Sequence, residues 1–312
     1  MHWNIQNHKG SFGEKMTELF IEKNKLASFE TWKQRIEEIR SNLKSDIATV
    51  DEVNTLLQKA IESRVTKDCE ILLSGGIDSS LIAFFASKHF PKIPCITVGF
   101  QDGDMNIPPD VESAKKVAEK FKLNHIVKVC TEEEAESLLP QVLKILKLKK
   151  PLEAQDIVNC GVGLVVAATV PVSPSTTVLG GLGSEEIFAG YERHAKAKNI
   201  QEECWNGLIN MWNKDLNRDS LLAEKYHLTL KTPFLDKDLI EAAMRLPDEL
   251  KIEGDQKKIV LRKIAELHKF PEEFAWRKKK AAQYGSGSHK MLQRLAKKNG
   301  FEFVKDYVES LL

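Results

Sequence analysis

The sequence predicts an α/β protein: a parallel sheet of about five strands flanked by helices, with helical layers at the N-terminal and C-terminal ends. Three observations predict it. After Lys67, short apolar runs rich in β-branched residues recur, each followed by a polar or glycine-rich turn and then by a longer segment with helical spacing. The residues before that stretch, and those after about Glu192, carry the helical period without the short runs. Strands alternating with helices need crossover connections, and those make a parallel sheet covered on both faces.

In chain order, Trp32, Ile36, Ile39 and Leu43 recur at helical spacing, and so do Val53, Leu56, Leu57, Ala60 and Ile61. The strand-like runs are residues 69–73, 95–100, 125–129 and 177–180. Helical patterns follow them over 81–88, 111–121 and 135–148. Beyond Glu192 the helical patterns lie over 205–212, 239–245 and 259–267, with Pro233 and Pro247 marking turns. The stretch 277–287 runs from a basic cluster into Tyr284, Gly285, Ser286 and Gly287 and reads as an irregular loop. The organisation expected is a helical extension over 1–50 and one domain over 51–312. Within that domain, 51–191 form the α/β core and 192–312 a mainly helical part.

Composition excludes several classes. Lys and Arg total 46 against 45 Asp and Glu, so no bulk field recommends nucleic acid or an anionic membrane as a partner. The longest apolar run, 162–172, is shorter than the roughly 18–20 residues that cross a bilayer and contains Pro171, so no membrane span is expected. The polar N-terminus lacks the apolar segment of a secretory signal, and a cytoplasmic location is expected. The 5 cysteines are scattered and form no CxxC pair, which fits buried thiols rather than a disulfide framework or a zinc site.

Two strings carry chemistry. In the first, Ile71-Leu72-Leu73-Ser74-Gly75-Gly76-Ile77-Asp78-Ser79-Ser80, an apolar strand passes through a Ser-Gly-Gly turn into a helix. Glycines there let the backbone approach a ligand, and the N–H groups of the helix start point at an anion, which makes a phosphate cradle. Asp78 beside a polyphosphate is best used to hold Mg²⁺. The spacing is neither GxxxxGK[ST] nor GxGxxG, which disfavours a Walker-type ATPase and a dinucleotide dehydrogenase. The second string, Leu179-Gly180-Gly181-Leu182-Gly183-Ser184-Glu185-Glu186, repeats the strand, glycine turn and helix start. It offers a second carboxylate opposite Asp78.

SGGxDS resembles the PP-loop of ATP pyrophosphatases, whose fold is the adenine-nucleotide α-hydrolase type. Together the two strings resemble the synthetase domain of asparagine synthetases. Three further stretches fit: Thr232-Pro233-Phe234-Leu235-Asp236 looks like R-x-PFLD, Lys258 to Arg262 like K-x-x-L-R, and Ala275-Trp276-Arg277-Lys278-Lys279 like AWRxK. The string 181–194 compares with GxGxxExxAGYxRH of stand-alone asparagine-synthetase-domain-containing proteins. The resemblance implies an AMP-forming carbon–nitrogen ligase that uses ATP and Mg²⁺ to adenylate a carboxylate, aspartate for choice, for attack by ammonia. By matching positions, Leu73, Ser74, Gly75, Gly76, Asp78 and Ser79 would bind pyrophosphate. Val98 and Gly99 would frame adenine, and Gly180 and Gly181 would lie against the nucleotide. Asp78 and Glu185 would share the metal, and Lys258 would meet charge building on the α-phosphate; Lys258, Asp78 and Glu185 are thus the expected catalytic set.

The departures are specific. His2 stands where glutamine-dependent members expose a cysteine, so free ammonia, another amine or a separate glutaminase subunit is the expected nitrogen source. Leu182 replaces an acidic residue, Glu185 an aspartate, and Lys231 the arginine before PFLD. The loop expected to hold the amino acid reads Gln155-Asp156-Ile157-Val158-Asn159-Cys160-Gly161, without the family's threonine-arginine pattern. A ligase with a different acceptor, or a non-catalytic ATP-binding scaffold, stays open as an alternative. The sequence does not fix the oligomeric state.

Overall fold

The computed structural model describes residues 18–101, 107–277 and 282–312. His2, Lys278 and Lys279 lie outside them. Among the described residues, a ribbon of β1 (Ile21–Glu22) and β2 (Lys25–Leu26) leads into helices α1 (Phe29–Ser41) and α2 (Val50–Glu62). Ser28 and Thr49 start these two helices by accepting N–H bonds from Thr31 and Glu52. The main sheet follows: β3 (Cys69–Leu72), β4 (Pro94–Phe100), β5 (Asn124–Cys130), β6 (Thr177–Leu179) and β7 (Thr229–Lys231). Its strands are all parallel, in the order β5-β4-β3-β6-β7.

The connecting helices are α3 (Ile77–His89), α4 (Pro109–Phe121), α5 (Glu132–Leu146), α6 (Ala154–Thr169), α7 (Ser184–Ile187), α8 (Glu192–Ala195), α9 (Ile200–Met211) and α10 (Asn217–Tyr226). After the sheet come α11 (Lys237–Met244), a ribbon of β8 (Ile252–Glu253) and β9 (Gln256–Lys257), and α12 (Ile259–Leu267). The chain ends in α13 (Glu272–Ala275), α14 (Ala282–Gly285), α15 (Ser288–Lys298) and α16 (Val304–Ser310).

Period-two alternation along the strands splits the core in two. Ile71 and Leu73 pack with α2, α3, α4 and α12, while Ile96 and Val98 pack with α5, α6 and α15 on the opposite face. The order of strands sets the position of any ligand. From β3 the chain steps through β4 to β5, then returns to place β6 against the other side of β3. The adjacent carboxyl ends of β3 and β6 form a topological switch point, the crevice where open α/β sheets bind ligands. Both glycine strings sit there.

The four strand-like runs match β3 to β6, shifted by a residue at most ends. The fifth strand, Thr229–Lys231, lies in the part read as helical, because three residues carry no usable period. A second difference matters more. Residues 155–161, read as the acceptor loop, are helical and open α6, with Glu153 and Asp156 forming its capping box. The apolar run that starts at Val162 is therefore the continuation of a longer helix. The 19-residue stretch Ala154–Val172 is long and apolar enough, by length and composition, to cross a membrane. Here it packs on β4, α5, α10 and α15. All five cysteines are buried and unpaired, and burial raises the Cys95 and Cys160 thiols to about 12.

One buried ion network ties the N-terminal layer to the sheet edge. The Glu18 carboxylate lies 3.1 Å from Arg64 and 3.7 Å from Lys231 and accepts from the Thr232 hydroxyl at 3.0 Å, while Arg64 also reaches Asp236 at 2.9 Å. Removing one member leaves buried charge uncompensated. Glu18→Ala and Arg64→Ala are each expected to destabilise the chain by about 3–5 kcal/mol, and the double variant by clearly less than their sum. Urea unfolding midpoints of the three variants measure this.

Candidate active site

The loop after β3 is shaped by close approach. Gly75 has φ +69°, and a Cβ there would lie 2.6 Å from the backbone of Ser113 and Ala114 in α4, so no side chain fits. The Ser74 and Gly76 N–H groups donate to Ser79 Oγ at 3.1 Å and Ser74 Oγ at 3.3 Å, and Ser113 Oγ donates to the Gly75 carbonyl at 3.2 Å. Gly76 caps α3 without a side chain, which leaves the first-turn N–H groups of a 13-residue helix to meet an anion. Arg277 crosses over this loop. Its guanidinium reaches the Ser74 and Pro109 carbonyls at 3.4 and 3.2 Å and Asp110 at 3.3 Å.

The loop after β6 meets the first one directly: a Cβ on Gly181 would sit 3.2 Å from Asp78 Cβ, whereas Gly180 faces open space. The third contributor comes from far along the chain. The β8–β9 ribbon turns into α12 through Lys258, held in the left-handed region at φ +56°. Its buried ammonium lies 2.8 and 2.7 Å from the two Asp78 oxygens, 2.8 Å from Glu185 Oε1 and 3.0 Å from Ser184 Oγ. Burial holds this ammonium below the usual lysine range, and Asp78 opposes that shift. With carboxylates on two sides, the charged form is the one the geometry accommodates.

The two acids of the second string separate. Glu185 faces Lys258, while Glu186 is buried beneath Tyr191 and 3.9 Å from Arg193, and burial raises its carboxyl to about 7. Gly190 makes the packing of Glu185 possible, because a Cβ there would lie 1.6 Å from Glu185 Oε2 and 2.5 Å from Lys258 Cε.

Of the expected nucleotide residues, Leu73, Ser74, Asp78, Ser79, Val98, Gly180 and Gly181 line one cleft of about 310 Å³ at the switch point, while Gly75 is turned onto α4. The Cα of Gly99 instead packs under Pro108 and Val111. Leu182 and Lys231 also line the cleft. Ser184, Asp110 and Gly190 join the site without having been singled out by residue type. Ser184 stood within the second string and Gly190 within the AGY of 181–194, whereas Asp110 left no trace in the sequence.

Among the described residues no group of three or more His, Cys, Asp or Glu side chains gathers as a metal cage. Asp78, which lines the cleft, and Glu185, which meets the same Lys258 ammonium, nevertheless suit Mg²⁺, which usually takes one or two protein carboxylates and completes its shell with phosphate and water.

A family model for asparagine synthase matches residues 52–225 and 195–301. The chain belongs to the asparagine synthase family. Among relatives, the putative asparagine synthetase [glutamine-hydrolyzing] 1 of Methanocaldococcus jannaschii is 28% identical over 298 residues, covering 80% of this chain and 53% of that one. The human asparagine synthetase [glutamine-hydrolyzing] is 28% identical over 282 residues, covering 85% and 47%. The chain thus spans about half the length of the curated relatives it matches. A solved NH3-dependent NAD synthetase from Campylobacter jejuni aligns with 88% of this chain and 92% of its own at 13% identity and a TM-score of 0.38, too slight a likeness to argue from.

Two predictions follow from the packing of this family member. Gly190→Ala forces Glu185 off Lys258 and is expected to cost about 1–3 kcal/mol, while Gly180→Ala, which projects into open space, stays within about 0.5 kcal/mol. Thermal unfolding of the pair separates them. The second concerns His194, buried with Nδ1 accepting from the Tyr191 N–H at 3.1 Å; burial lowers its ring from 6.5 to about 4. The folded state holds the neutral ring, so stability from this site is complete above pH 6.5 and falls as pH drops towards 4. Between pH 7 and pH 5 the wild type should lose on the order of 1–2 kcal/mol that His194→Asn does not lose. Urea titrations of both proteins at the two pH values give the difference.

Proposed function

We propose that the chain is an AMP-forming ligase: it uses ATP to activate a carboxylate as an acyl-adenylate and passes the acyl group to ammonia or another amine. The observation that carries this reading is Lys258, whose ammonium joins Asp78, Glu185 and Ser184 where the two glycine loops meet. We take residues 51–312 as the catalytic unit and ATP and Mg²⁺ as its cofactors. Aspartate is the first acceptor to test, because the relatives carry asparagine synthetase in their names. Ammonia would come free or from a separate glutaminase subunit, in a cytoplasmic setting.

The chemistry then divides among the residues as follows. The carboxylate oxygen of the acceptor attacks the α-phosphorus, the bond from that phosphorus to the α–β bridging oxygen breaks, and pyrophosphate leaves with the electron pair. The first-turn N–H groups of α3, which follow the Ser74–Gly76 turn, hold the departing phosphates. Asp78 and Glu185 would hold Mg²⁺, which would supply charge neutralisation for the polyphosphate. Lys258 faces the α-phosphate, where negative charge builds, and its fixed position costs no reorganisation during the step. The amine then attacks the carbonyl carbon, the C–O bond to AMP breaks, and one proton leaves the nitrogen. Asp78 and Glu185 keep Lys258 charged and aimed throughout.

Product analysis by mass spectrometry tests the reading. With ATP, Mg²⁺, aspartate and ammonium, the expected products are AMP, pyrophosphate and asparagine. Asp78→Asn, which keeps the side-chain volume but drops the charge, should lower AMP formation about 10²–10³-fold. AMP without asparagine keeps the adenylation and removes aspartate. Tight ATP binding without AMP under any condition supports the scaffold reading.

A further inference from the structure

The cleft does not end at the nucleotide. From the glycine loops it continues between the sheet and α6, along the face of β3 on which Leu72 and Glu70 alternate. At about 3.3 Å per residue, the four steps from Ser74 back to Glu70 span roughly 13 Å. α6 turns Val162, Val165, Val166 and Thr169 onto this arm at spacings of three and four residues, and Val170 follows at its end, opposite Leu72 and Leu230 of the sheet. These valines are only half-buried although they face inwards, which leaves apolar surface waiting to be covered. The polar exception is at the far end. Glu70 is fully buried; Oε2 accepts from the Ser173 hydroxyl at 2.5 Å and the Ser175 N–H at 3.2 Å, while Oε1 has no partner among the described residues. Side chains lining the arm offer little to an amino acid's charged head group. Lys231, the cation at its rim, is shared with Glu18, and Asp219 is paired with Arg218 at 2.7 Å.

An aspartate would leave most of this arm empty and set its α-ammonium and α-carboxylate against valine and leucine, where unpaired charge is costly. Leu182, on the wall where the resemblance leads one to expect a carboxylate, points the same way. We infer that the arm is the acceptor subsite and that it takes a carboxylic acid with an elongated apolar body and a hydrogen-bond donor at its far end, which Glu70 Oε1 receives. The inference rests on the adenylating reading of the adjoining loops and names its substrate class. In that arrangement the acid's carboxylate lies at the glycine loops, its body covers the α6 valines, and a terminal hydroxyl, amide N–H or amine meets Glu70.

The experiment uses unbranched ω-hydroxy acids of four to ten carbons and the matching plain alkanoic acids, with aspartate alongside. Two readouts are taken on the full chain: acid-dependent exchange of labelled pyrophosphate into ATP, and binding of the acids by calorimetry. Affinity should rise with chain length to an optimum at eight to ten carbons, and Val166→Phe, which fills the arm, should move that optimum to shorter acids. Glu70→Leu should weaken the ω-hydroxy acids about tenfold while leaving the alkanoic acids of equal length unchanged, so a general loss of packing is told apart from loss of the hydrogen bond. Binding with this chain-length profile but without exchange keeps the subsite and overturns the ligase reading. Exchange with aspartate alone keeps the ligase and overturns the subsite. A profile that Val166→Phe does not shift, or no binding by any of the apolar acids, also overturns the subsite.

Discussion

The arrangement at the switch point depends on one buried cation. An ammonium taken out of water on its own would lose its charge, and two carboxylates brought together would repel. Lys258 between Asp78 and Glu185 resolves both, and Ser184 completes its donors. The three segments meeting there come from the start of α3, the start of α7 and the left-handed turn before α12, with Asp78 and Lys258 180 positions apart in the chain. Each is short, and the ion pairs fix how the three stand relative to one another. The pairing therefore acts as a spacer: it keeps two loops open towards a ligand while tying the helical C-terminal part to the sheet.

The backbone supports the same point. A lysine at φ +56° has left the usual helical and extended regions, at a cost of order 1–2 kcal/mol. The surrounding bonds over-determine it, since the Lys258 carbonyl accepts from Leu261 at 3.0 Å and the Ile259 N–H returns to the Lys251 carbonyl at 3.2 Å. Its position aims the side chain at Asp78, Glu185 and Ser184. Strain of this kind persists only where the fold fixes both sides of it.

The legible parts of the sequence were those that obey a local rule. A strand followed by Ser-Gly-Gly, or by Gly-Gly-Leu-Gly, can only be a tight turn into a helix, so the two loops and Asp78 stood out before any geometry was known. Lys258 was legible only through the spacing of its neighbours, because a lysine before a helix has no local signature of burial. What stayed hidden was decided by tertiary contact. Glu185 and Glu186 are chemically alike, and only Gly190 and Tyr191, packed from later in the chain, determine which of them faces Lys258. Strand β7 is three residues long and owes its existence to pairing with β6. Residues 155–161 looked like a loop because resemblance assigned them one, whereas Glu153 and Asp156 supply an ordinary helix start.

The helical state of that segment explains why the two halves of the cleft differ. A loop can offer backbone N–H groups and side chains at many angles, which is what recognition of a charged amino acid needs. A helix keeps its own backbone groups occupied and presents one stripe of side chains at a fixed period. In α6 that stripe is Val162, Val165 and Val166 followed by Thr169, whose hydroxyl is turned back to the Val165 carbonyl, so the wall facing β3 is mainly apolar. The same strand then serves both ends of the cleft: its carboxyl end feeds the phosphate loop, and its second residue, Glu70, closes the arm. A register shift of one residue in β3 would turn Glu70 and Leu72 to the other face and move Ser74 at once. The geometry at both ends of the cleft is thus fixed by a single pairing register, whereas the α6 side can change its side chains without disturbing that register.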